Sequence, residues 1–92
     1  ERPRLGGGEA LMSTDVTELS LPDLVCPMPV LKAKKALAGL APGALLRVRS
    51  TDRHSLADLR DFCEQTGHVL VEQSESDEGE RHWFVTLIRR RD

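Results

Sequence analysis

A two-layer α/β (α+β) sandwich, with two helices packed on one face of a four-stranded mixed sheet, is the fold class this sequence predicts. Three observations lead there. Four short segments read as strands: Val16 to Leu21, Ala44 to Ser50, "HVLVEQS" from His68 and "HWFVTLIRR" from His82. Two segments between them switch to helical spacing, giving the order β-α-β-α-β-β. No internal repeat or long linker divides the chain, so one domain is expected.

Each element has its own warrant. "VTELSL" alternates apolar and polar residues and stops at Pro22 and Asp23. After Cys26, the residues Val30, Ala33, Leu37 and Leu40 recur at helical spacing, with Lys32, Lys34 and Lys35 between them. Gly39 stands where a helix would stop, and Ala41-Pro42-Gly43 puts proline and glycine at the centre of a type II turn. In the second strand Leu46 and Val48 alternate with Arg47 and Arg49. Ser55 followed by Asp58 resembles a capping box before Leu56, Leu59, Phe62, Cys63 and Thr66, and Gly67 ends that helix. "ESDEGE" reads as an acidic hairpin turn around Gly79.

Residues 1–13 are glycine-rich and aperiodic, with Met12 a natural start. They are set aside as a flexible tail or a remnant of expression, leaving residues 14–92 as the folded domain. A chain this short buries only about 60 to 65% of its unfolded surface, so chemistry is expected on the surface rather than in a deep cavity. No segment has the length and apolarity of a membrane span, and the N-terminus lacks the apolar core of a signal peptide. Two cysteines are too few for a secreted disulfide scaffold, which places the protein by expectation in the reducing cytoplasm. The net charge of −2 gives no global attraction to nucleic acid, and the run Arg89 to Arg91 is read as a solvated strand end.

The segment "DLVCPMPVLKAKKAL" is the chemically distinctive one. If Cys26 is the N-cap of the first helix, Pro27 and Pro29 fall at N1 and N3, where a missing N–H loses nothing. The Met28 amide would then approach the sulfur, and the helix terminus would lower the thiol pKa from its free value of about 8.5. A buried structural cysteine is the competing reading. Cys63 falls mid-helix among apolar positions and is read as core, with a resolving thiol as its alternative. His54, His68 and His82 lack zinc-ligand spacing, so no metal is expected, and no glycine-rich phosphate loop calls for a cofactor. Asp52 and Asp58 flank the second helix start, where carboxylates cap. The three aromatics Phe62, Trp83 and Phe84 are assigned to the core, and without a basic-aromatic stacking pattern no direct nucleic acid binding is expected.

The same stretch resembles the CPxP signature of the TusA-like (SirA/TusA) sulfur-carrier family. The likeness continues through "LAPG", "TDRHSLADLRDFCEQTGH" and "FVTLIRR", and so covers nearly all of Met12 to Asp92. It implies a carrier, rather than an autonomous enzyme, that holds sulfane sulfur as a persulfide on Cys26, with Pro27, Met28 and Pro29 as the supporting motif. A cysteine desulfurase or rhodanese-type donor would load it, and a downstream acceptor protein would unload it, in tRNA thiolation or other sulfur trafficking. Lys32, Arg47, Arg49, Asp52 and Asp58 are the candidate partner-docking residues, and no membrane is involved. Relatives often carry a DP pair and a later proline in the second-helix region; here Arg53 and Arg60 stand in those places, altering a surface that a partner could read. The alternative is a non-enzymatic regulatory or partner-binding module in which CPxP is structural.

Overall fold

The computed structural model describes residues 16–92; the tail expected at residues 1–13 lies outside them. Six elements follow one another: β1 (Val16–Leu21), α1 (Met28–Ala38), β2 (Leu45–Ser50), α2 (Ser55–Thr66), β3 (Val69–Glu78) and β4 (Arg81–Arg89). The sheet order is β1-β2-β4-β3. β1 and β2 run parallel, whereas β4 is antiparallel to both β2 and β3, so the sheet is mixed as predicted.

Strand alternation decides which side the helices cover. Leu46, Val48 and Ser50 of β2 and Thr86 and Ile88 of β4 are buried on one face. Against them pack Ala33 and Leu37 of α1 and Leu59, Phe62 and Cys63 of α2, forming a single apolar cluster. Arg47 and Arg49, one residue out of phase, lie on the opposite face. Trp83 lies there too, because its neighbour Phe84 pairs with inward-facing Ser50. The indole is nevertheless buried, covered by the Arg49 guanidinium 4.6 Å from its ring centroid. Its expected place in the core is thus corrected: it serves the open face as a cation-π platform. Phe84 is half-buried, with its ring edge-on to His82.

The turn Ala41 to Ala44 closes as expected, with the Ala44 N–H donating to the Ala41 carbonyl at 3.0 Å and Gly43 at φ 84°. The last hairpin is tighter than the sequence indicated. β3 runs through the acidic residues to Glu78, which pairs with Arg81, leaving only Gly79 and Glu80 in the loop. Gly79 at φ 64° supplies the first central position of a two-residue turn. The acidic side chains tolerate a strand here because β3 is an edge strand whose exposed side chains reach water.

Candidate functional site

Parallel pairing of β1 and β2, with Leu21 beside Ser50, delivers both strand-to-helix loops to the same edge of the sheet. Four backbone-to-side-chain bonds organise those loops. The Asp23 N–H donates to Thr51 Oγ1 at 2.8 Å, and the Cys26 N–H donates to Asp52 Oδ2 at 2.7 Å. The other oxygen of Asp52 accepts the His54 N–H at 3.1 Å, an Asx turn that leads the chain into α2. Asp52 is itself anchored through its N–H, which donates to buried Ser50 Oγ at 3.0 Å. One carboxylate therefore satisfies orphan donors on both sides of the cleft between the loops. The β3–β4 hairpin adds a further tie, from Arg81 Nη2 to Asp23 Oδ2 at 2.9 Å.

Cys26 is exposed on this platform, which rules out its reading as a buried structural residue. Its local geometry differs from the expectation in two respects. The Met28 N–H donates to the Val25 carbonyl at 2.8 Å, so it is not available to the sulfur. Pro27, not Cys26, is the residue before the helix, and its carbonyl accepts the Leu31 N–H. The prolines consequently fall at the N-cap and N2, and Pro29 is buried; the Cys26–Pro27 peptide is cis.

The electrostatics are corrected as well. Interaction with the Asp58 side chain, followed by partial desolvation and the negative charges of Asp58 and Asp52, raises the Cys26 thiol above its ordinary pKa. The neighbouring carboxylates disfavour the thiolate, which is the opposite of the helix-terminus stabilisation expected. Burial pushes the Asp52 carboxyl up, but the amides of His54 and Cys26 and the His54 ring bring it below its usual value overall. The expected Ser55/Asp58 capping box does not form. His54 precedes α2 without a side-chain cap, Ser55 Oγ is buried and unpartnered, and Asp58 turns to Cys26 instead.

The remaining predicted residues divide. Lys32 is exposed on α1. Arg47 pairs with Glu18, and Arg49 with Glu78 at 2.6 Å, both on the sheet face away from the helices. They are therefore separated from the platform that holds Cys26, Asp52 and Asp58. The exposed apolar residues Val25 and Leu31, on either side of the CPxP turn, are not singled out by periodicity. The position of Val25 beside the cysteine, beyond the strand that stops at Pro22, is the one signal that could have found it. Cys63 is buried as expected, and burial raises its pKa. It sits five residues beyond Asp58, roughly 7.5 Å further along α2 toward the other end of the sandwich. Among the described residues no group of His, Cys, Asp and Glu could hold a metal ion, and no helix is long and apolar enough to cross a membrane.

Comparison with known proteins agrees with this architecture. The family model described as "Sulfurtransferase TusA" matches residues 17–90. A Neisseria meningitidis serogroup A protein, named as a candidate sulfur carrier, is 49% identical over 59 residues, covering 64% of this chain and 80% of the relative. The sulfur carrier protein TusA of Allochromatium vinosum is 40% identical over 68 residues, covering 74% and 88%. Among solved structures, a SirA-like protein from Desulfitobacterium hafniense superposes with a TM-score of 0.62 at 25% identity, covering 85% of this chain and all of that one. With its CPxP turn, its two-helix sandwich and a match across nearly the whole described domain, the chain belongs to the TusA family of sulfur carrier proteins.

Proposed function

We propose that Cys26 is the residue on which this carrier holds sulfane sulfur, as a persulfide, between a donor and an acceptor protein. The observation that carries this reading is an exposed thiol in a loop fixed by the 2.7 Å bond from its own amide to Asp52. A thiol so presented is reachable by a second protein's reactive sulfur without a substrate pocket. Exposed Val25 and Leu31 offer apolar contact on either side, and Lys32 adds a cation nearby in sequence.

The transfer is a thiol exchange. The Cys26 sulfur attacks the outer sulfur of a donor persulfide, forming a new S–S bond while the donor's S–S bond breaks. The donor sulfur leaves with the bonding pair and takes up the proton that Cys26 releases, giving a Cys26 persulfide and a donor thiol. An acceptor thiol then attacks the outer sulfur in the same way, and Cys26 departs as the leaving group. Nothing is oxidised or reduced overall. Pro27 and Pro29 stiffen the turn and Met28 lines it, while Asp52 fixes the backbone and Asp58 keeps the unloaded sulfur protonated.

A cysteine desulfurase or a rhodanese-type protein fits the donor role. A thiol protein of tRNA thiolation, or of another sulfur-trafficking route, fits the acceptor role. Persulfide exchange needs reduced thiols, which suits the cytoplasm. Handover is tested by loading the protein with radiolabelled sulfur from cysteine and a desulfurase, removing the donor, and adding candidate acceptors. Label that moves to an acceptor from the wild type, and is absent with Cys26→Ser, is the expected result. Equal labelling of an acceptor in the presence of Cys26→Ser would place the chemistry elsewhere.

A further inference from the structure

At the end of the sandwich opposite Cys26, the C-terminal halves of both helices meet the last residues after β4. A cleft of about 230 Å³ opens there, lined by Lys34, Leu37, Phe62, His68, Arg90 and Arg91, with Ala38 and Thr66 completing its wall. Its lining contains three cations and a histidine but no carboxylate. Among the described residues, no carboxylate lies within ion-pair distance of Lys34, Arg90 or Arg91, although acidic residues outnumber basic ones in the chain, 15 to 13. Two residues of the arginine run that reads from sequence as a solvated strand end, Arg90 and Arg91, thus line a defined concavity.

Backbone contacts fix the polar groups of this cleft. Arg90 Nε donates to the Leu37 carbonyl at 2.9 Å, and Nη1 donates to the Arg91 carbonyl at 3.1 Å, which holds the guanidinium against the end of α1. The Arg91 N–H donates to His68 Nδ1 at 3.0 Å. His68 Nδ1 is therefore an acceptor, and in the neutral ring the proton resides on Nε2 as a free donor. The ring is steadied by Phe62, with centroids 5.7 Å apart. The Arg91 side chain lies across Gly67, whose missing Cβ would fall 3.5 Å from Arg91 Cδ. Burial, followed by the charges of Arg91 and Arg90, holds His68 below its ordinary pKa. Part of the arginine charge complements the helix ends: Arg90 takes up an orphan carbonyl of α1. That role occupies Nε and Nη1 of one arginine and leaves Lys34, Arg91 and the His68 donor without an equivalent structural task.

We propose that this cleft binds a phosphate-type oxyanion, held by Lys34, Arg90, Arg91 and His68 Nε2–H, with Phe62 and Ala38 in its wall accommodating a small apolar group attached to it. The volume is below the roughly 300 Å³ of ordinary small-molecule pockets, which limits the occupant to inorganic phosphate or a compact phosphate monoester. Charge-assisted bonds from guanidinium groups are the interactions that favour such an anion. The site is distinct from the Cys26 platform and does not depend on sulfur carriage.

The test is an NMR titration of the whole protein with inorganic phosphate, with phenyl phosphate, and with sodium chloride at matched ionic strength. Phosphate is expected to shift the amides of Gly67, His68 and Arg91 in a saturable manner and to raise the His68 pKa by about one unit, as an approaching anion does. Phenyl phosphate is expected to bind more tightly than phosphate. Arg91→Ala and Lys34→Ala should each weaken binding by roughly tenfold, the loss of one charge-assisted contact, whereas Lys32→Ala on the same helix should not. Both substituted residues next to the cleft are solvent-facing, so the fold is retained. Equal shifts with chloride, or unaltered binding by both variants, would each overturn the assignment.

Discussion

Asp58 determines how Cys26 behaves when no partner is bound. Its carboxylate, together with that of Asp52, raises the thiol pKa and so disfavours the more nucleophilic thiolate. Removing the charge while preserving the shape should release the thiol. Asp58→Asn is predicted to speed iodoacetamide alkylation of Cys26 several-fold at neutral pH and to displace its pH profile toward lower pH, with little change in unfolding midpoint. An unchanged profile would mean that Asp58 does not control the sulfur. This arrangement was not legible in the sequence. Cys26 and its prolines were, because proline at a helix start has a local physical meaning. The expected thiolate stabilisation rests on that same local view, whereas the largest influence on the thiol comes from Asp58, 32 positions away on another helix. Asp52 was recognised as a capping residue, but its bond to the Cys26 amide depends on the parallel register of β1 and β2, which a single sequence does not reveal.

At the scale of elements, positions and types followed from periodicity, and boundaries followed from contacts that periodicity cannot express. The strand β3 extends through an acidic run because its edge faces water, and the turn shrinks to Gly79 and Glu80. The helix α2 begins through the Asx turn of Asp52 rather than through Ser55, whose hydroxyl is buried without a partner. Its other end was legible, since Gly67 takes φ 87° and donates its N–H to the Cys63 carbonyl. Gly67→Ala is predicted to cost about 1–2 kcal/mol through backbone strain in the left-handed region. Steric collision contributes little, as the added Cβ would meet Arg91 Cδ at 3.5 Å, an ordinary contact. Chemical denaturation reads the difference directly, and a neutral substitution would contradict the strain argument.

For the whole molecule, five groups with shifted pKa values set the pH range of stability, and Cys26, raised chiefly by Asp58, belongs with those lost at high pH. Asp52 and His68 have folded pKa values below their unfolded ones, so their contributions are complete above the unfolded values and are lost as pH falls through the folded ones. The hydrogen bonds of Glu75 and then Asp77 raise His82, and burial raises Cys63. Those contributions are complete below the unfolded values and are lost as pH rises through the folded ones. The urea midpoint should therefore peak within roughly pH 5 to 8 and decline on both sides. His82 itself should titrate above about 6.5 in an NMR experiment. A midpoint that climbed steadily into alkaline solution, or a His82 that titrated at or below the free value, would contradict this assignment.

The fold brings these scales together at one atom, the sulfur of Cys26, held in the open by a backbone bond and kept protonated by a neighbouring carboxylate. Intact mass spectrometry of wild type, Cys26→Ser and Cys63→Ser, after incubation with a cysteine desulfurase and L-cysteine without reductant, tests that most directly. A gain of about 32 Da per sulfur in the wild type and Cys63→Ser, absent in Cys26→Ser, is the predicted result. A gain that persists in Cys26→Ser, or no gain in any of the three with several donors, would contradict sulfur carriage at Cys26.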